Sequence, residues 1–101
     1  MKGTAKQIAW AEDIKANALR AAANIVRNAE KMIEWGFTGD DDPGFISVEA
    51  AKEAEQMVVK ACETLDDAAY IIEHRHMLRQ QWLETMARQM TRMAKEKKEG
   101  I

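Results

Sequence analysis

Two stretches of this sequence have the residue types and spacing to suggest chemistry at a metal. Glu73-His74-Arg75-His76 contains an E-x-x-H, which on a helix sets a carboxylate and an imidazole on one face. Di-iron four-helix proteins use two such motifs and two further glutamates. One copy of this chain supplies a single motif, so only a symmetric dimer could complete the set. His74 and His76 lie two residues apart and point to different sides of a helix. A hydrogen-bonding polar break in the apolar pattern is the better reading. Asp40-Asp41-Asp42 invites calcium, but an EF-hand loop needs oxygen ligands at its first, third and fifth positions, glycine sixth and glutamate twelfth. With Gly44 sixth, Gly39 falls first, Pro43 fifth and Ala50 twelfth, and the pattern fails. A solvated turn fits these aspartates better.

Nucleophiles are no better placed. Ser47 sits where a helix cap is needed, Thr64, Thr85 and Thr91 fall mid-helix, and no glycine-rich phosphate loop follows a strand. Cys62 is the single cysteine and lies among Val58, Ala61 and Leu65, as a small buried hydrophobe would. The sequence therefore predicts no catalytic residue, metal or cofactor, and a non-enzymatic protein.

Surfaces for binding are more visible. The net charge is −2, divided unevenly: residues 1–73 carry 8 Lys and Arg against 14 Asp and Glu, whereas residues 74–101 carry 7 against 3. An acidic body thus bears a basic C-terminal segment, in which Arg88, Arg92 and Lys95 share a helical face and could track phosphates. The same face could pair with the acidic surface of another protomer. Trp10 falls in line with Lys6 and Asp13, outside the apolar rows of its helix. A tryptophan held in water gains nothing for folding, so Lys6, Trp10 and Asp13 are expected to form a binding surface. The alternative is that Trp10 packs beneath the C-terminal segment.

The elements that must position these residues are helices. With 47% hydrophobic and 32% charged residues, 5 Gly and 1 Pro, the 101-residue chain has the composition of a helical bundle and the length of one domain. Thr4 and Gln7 form a capping box, and Ala11, Ile14, Ala18, Ala21, Ile25, Met32 and Trp35 recur at spacings of three and four. Gly36 is a natural stop, giving a helix over about 5–35. Residues 36–46 form an inter-helix loop, whose Phe37, Phe45 and Ile46 fold onto the bundle end. Ser47 caps the next helix, over about 48–73, and Ile46 staples onto Ala51. The apolar frame breaks at 73–77 and resumes through Leu78, Trp82, Met86, Met90 and Met93. The expected fold is all-α: a long antiparallel helical hairpin, 5–35 and 48–73, with a basic, Met-rich helical arm over about 77–98.

Length then argues for self-association. The first helix spans ~46 Å and an unbroken arm from 48 to 98 would span ~76 Å, at 1.5 Å per residue. A tight reversal at 73–77 without Gly, Pro or Asn is hard to build. Trp82, Leu83, Met86, Met90 and Met93 would then lack an intramolecular neighbour, and a homodimer or higher oligomer would bury them. No apolar run reaches the ~20 residues of a membrane span. One cysteine and no visible signal peptide suggest a reducing cytoplasm.

The opening Gly3-Thr4-Ala5-Lys6-Gln7-Ile8-Ala9-Trp10-Ala11-Glu12-Asp13-Ile14-Lys15 resembles the start of a loose group of small helical proteins of phages, prophages and other bacterial mobile elements, G-[ST]-x-K-Q-I-x-W-A-E-x-I-[RK]. Asp67-Ala68-Ala69-Tyr70-Ile71-Ile72-Glu73-His74-Arg75 resembles a second element, A-x-[WY]-W-I-[DE]-x-R, with Ile71 where the group tends to have an aromatic. The two cover about a quarter of the chain, and the Met-rich tail extends beyond the usual end of the group. The resemblance implies no activity. It implies a stoichiometric binding protein in a bacterial cytoplasm, engaging a host protein, an anti-phage-defence component or a signalling nucleotide. The alternative expectation is an oligomeric nucleotide or nucleic-acid binder using the basic arm.

Overall fold

A computed structural model describes residues 1–36 and 44–99, which are helical throughout apart from short connections. Helix α1 covers Ala5–Glu34, α2 Val48–Thr64, α3 Ala68–Glu73 and α4 Gln80–Glu99, with a 3-10 turn at Arg75–Leu78 between α3 and α4. The acidic stretch Asp40-Asp41-Asp42 and Phe37 lie outside the described residues.

α1 begins and ends as its local sequence dictates. Thr4 Oγ1 accepts from the Gln7 amide at 3.2 Å, and Gln7 Oε1 accepts from the Thr4 amide at 3.0 Å. The helix stops at Gly36, whose φ of 85° is one that side chains disfavour. Its 30 residues amount to ~45 Å, close to the 49 Å longest dimension of the molecule. Every other helix packs along it.

The expected helix over 48–73 is broken at Leu65-Asp66-Asp67, with neither glycine nor proline to mark the break. Three of the backbone groups at the break find partners near the N-terminus of the chain. Lys15 Nζ donates to the Leu65 carbonyl at 2.8 Å, the Lys2 amide to the Asp66 carbonyl at 2.7 Å, and the Ala68 amide to the Lys2 carbonyl at 2.8 Å. Asp67 Oδ1 caps α3 by accepting from the Ala69 and Tyr70 amides. Gly3 lies so close that a Cβ there would come within 2.9 Å of Ala68 Cβ.

The reversal after α3, which the sequence argued against, does occur. Two side chains add to the His74 amide, which itself donates to the last carbonyls of α3. His74 donates through Nδ1 to the Tyr70 carbonyl at 2.9 Å while its ring stacks on Tyr70, and Arg75 donates to the Ile72 carbonyl at 2.6 Å. With these satisfied, the chain passes through the 3-10 turn and an extended Arg79 without any left-handed residue.

α4 therefore folds back onto α1 and α2, and the expectation of an arm without intramolecular neighbours is corrected. Leu83 and Ala87 are buried in the main core with Ala18, Ala22, Ile25, Ala51 and Val58. Met86 and Met90 pack against that cluster, whereas Trp82 and Met93 remain exposed. The tether from α2 to α4 is specific: Ser47 caps α2 through Oγ, and its own amide donates to Thr91 Oγ1 at 3.0 Å. A second cluster of Ala11, Ala68 and Ile71 seals α3 against α1. Among the described residues no helix is long and apolar enough to cross a membrane.

Leu83→Ala is expected to cost ~2–5 kcal/mol of stability, and Met93→Ala less than ~0.5 kcal/mol. Chemical denaturation of the two variants checks this. Equally small losses would place α4 off the core.

Candidate functional site

The 3-10 turn separates two concavities that share Leu78 in their linings. Each is built by helix ends converging on the turn.

The first is an apolar groove of about 310 Å³ between α2, α3, the turn and α4. Val58, Ile71 and Leu83 form its buried floor. Its rim is large and half open to solvent: Met57 is 50% exposed, Tyr70 48%, Met77 41% and Trp82 45%. Two of these side chains are held by histidines. His74 stacks on Tyr70 with ring centroids 4.1 Å apart, and His76 meets Trp82 edge-on at 6.1 Å. The E-x-x-H residues thus belong to a helix end and a groove wall. Among the described residues no group of three or more His, Cys, Asp or Glu is placed to hold a metal ion.

The second concavity, of about 470 Å³, lies on the α1 side of the turn. Trp10 and Asn17 enter it from α1, Arg75 and Arg79 from the turn, and Gln80 from the start of α4. Trp10 is 49% exposed, with the Arg75 guanidinium 5.2 Å above its ring. Trp10 is therefore neither isolated in solvent nor buried beneath α4. Lys6 and Asp13 are exposed and take no part in either lining, so the structure joins Trp10 to Arg75 and Arg79 instead.

The remaining basic residues are spread along α4. Arg88 pairs with Glu84 at 3.5 Å and donates to the Gly44 carbonyl at 3.4 Å, which commits it to holding the chain before α2. Arg92 and Lys95 are exposed. Of the five residues expected at an oligomer interface, Leu83 belongs to the core, Met86 and Met90 line its edge, and Trp82 and Met93 are available to a partner. Sequence reasoning missed Met57, Tyr70, Met77, Arg75 and Arg79. The available signal was Arg75 and Arg79 at a four-residue spacing beside two histidines.

Cys62 is half-buried, with Sγ 3.9 Å from the Lys15 carbonyl. Burial pushes its thiol pKa up, more than the nearby Lys15 charge lowers it. No protein-family profile, curated protein or solved structure matches this chain.

Because a raised pKa withholds the thiolate, iodoacetamide should alkylate Cys62 more slowly at pH 8 than it does a free cysteine peptide. The rate should rise only at higher pH. A rate matching the peptide's, measured by mass spectrometry, would show an accessible thiol of ordinary acidity.

Proposed function

We propose that this chain is a non-enzymatic binding protein whose apolar groove takes a helix of a partner protein. One observation carries the reading: the distribution of small and large apolar side chains is inverted. Of the fifteen buried apolar residues described, ten are alanine, while Trp10, Trp35, Tyr70, Trp82, Met57, Met77 and Met93 are all exposed. Four of those seven surround the groove. Large apolar side chains contribute to folding only where they leave water, so a rim of them around a concave apolar floor fits burial on association. Tryptophan and tyrosine are frequent anchors of interface energy. Unbranched methionines let such a surface adapt to the shape of a helix.

The mobile-element setting and a host or anti-phage-defence partner rest on the sequence resemblance alone. Self-association loses its argument from an arm without neighbours but keeps the exposed rim, so a second copy of this chain is the competing occupant. A nucleic-acid contact through α4 has less behind it, since Arg88 is already engaged.

The test is Met57→Asp combined with Trp82→Asp. Both side chains are half-exposed, so helicity by circular dichroism should persist, while carboxylates in the rim make its desolvation costly. Wild-type protein should retain a bacterial partner that the variant releases. Loss of a wild-type dimer in light scattering, without loss of any other partner, would identify the occupant as a second copy. A wild type that stays monomeric and retains nothing would contradict the proposal.

A further inference from the structure

The second concavity has a chemistry that a helix-binding groove does not need. Two arginines, Arg75 and Arg79, line one pocket, and no carboxylate appears among its described lining residues. Like charges converging at a concave surface raise the local potential and favour an anion. Their situations differ in a useful way. Arg75 is oriented in advance, since one guanidinium nitrogen donates to the Ile72 carbonyl at 2.6 Å and its central carbon lies over the Trp10 ring, 5.2 Å from the centroid. Most of its donors stay available. The Arg79 guanidinium has no carboxylate partner among the described residues.

The other lining residues narrow the ligand. Trp10, with Ile14 and Leu78, offers a half-exposed apolar wall suited to a planar ring. Asn17 and Gln80 offer amides, each able both to donate and to accept, as reading a heteroaromatic edge requires. An inorganic anion would use the arginines and leave the tryptophan idle. A neutral aromatic would do the reverse. We infer that this pocket binds a nucleoside phosphate, with its base against Trp10 and Arg75 and its phosphate at Arg79. The volume of about 470 Å³ lies within the range of small-ligand sites. Bases commonly stack on both aromatic rings and guanidinium planes. The site is distinct from the partner groove, so either can fail without the other.

The experiment follows Trp10 fluorescence in full-length protein carrying Trp35→Phe and Trp82→Phe, two exposed positions outside the pocket. The probes are the four nucleoside 5′-monophosphates, adenosine, inorganic phosphate and a short single-stranded oligonucleotide, all at low salt. At least one monophosphate or the oligonucleotide should quench Trp10 and bind at least about tenfold more tightly than adenosine or phosphate. Added salt should weaken that binding. Arg79→Ala should weaken it by about tenfold or more with an unchanged melting temperature. Tighter binding of the free monophosphate identifies a free nucleotide as the source, and tighter binding of the oligonucleotide a single strand. Phosphate binding as tightly as every nucleotide, no quenching by any probe up to about 10 mM, or unchanged affinity in Arg79→Ala would overturn the inference.

Discussion

Alanines at positions 11, 18, 22 and 29 of α1 are almost wholly withdrawn from water. Ala18, Ala22 and Ala29 share one cluster with the buried alanines 51 and 54 of α2 and 87 of α4, and Ala11 shares a second with Ala68 of α3. A seam of methyl groups lets helix backbones approach closely and leaves little side-chain entropy to lose. It also buries less apolar area per residue than leucine would, so the molecule depends on a close fit. Any larger residue in the seam overpacks it, typically at ~1–3 kcal/mol. Gly3 against Ala68 is the same constraint at its limit, where even a methyl group has no room. Because the seam has no space for them, large apolar side chains are displaced to the rims, and the two candidate surfaces arise there.

The second dependence is on how the helix ends are satisfied. α2, α3 and the 3-10 turn are joined without glycine or proline, and side chains, together with the Lys2 backbone, take up the exposed backbone groups. Lys15, Asp67, His74 and Arg75 each perform that task. Two of them also shape a concavity: His74 backs Tyr70 in the groove, and Arg75 covers Trp10 in the pocket. The residues that end one helix are thus the residues that build the surfaces, and the short turn at Arg75–Leu78 positions both.

This explains which parts of the molecule the sequence made legible. The Thr4–Gln7 box, the Ser47 cap and the stop at Gly36 depend on residues within three or four positions of one another, and periodicity with capping chemistry finds them. The break at 65–67 was hidden, because Lys2 and Lys15 stabilise it from the far end of the chain. The reversal at 74–79 was misjudged for a related reason. A turn built from two helix ends needs no left-handed residue when His74 and Arg75 supply the capping groups. The same turn gives Leu83 neighbours within its own chain, in one core with Ile25 and Val58. Trp10 was legible as a residue outside the apolar rows. Its company was not, since Arg75 reaches it only through the fold.

The fold rests on α4 returning onto its own chain, which leaves the apolar groove at the surface. Ser47 and Thr91 test it most directly, because their side-chain oxygens lie 3.5 Å apart. In a protein with Cys62→Ser, Ser47→Cys and Thr91→Cys, mild oxidation at high dilution should link the two new cysteines within one chain. Non-reducing mass spectrometry would then show a monomer lighter by its two thiol hydrogens. Disulfide-linked dimers in place of that monomer would mean that α4 packs on a neighbouring copy, and would contradict the account.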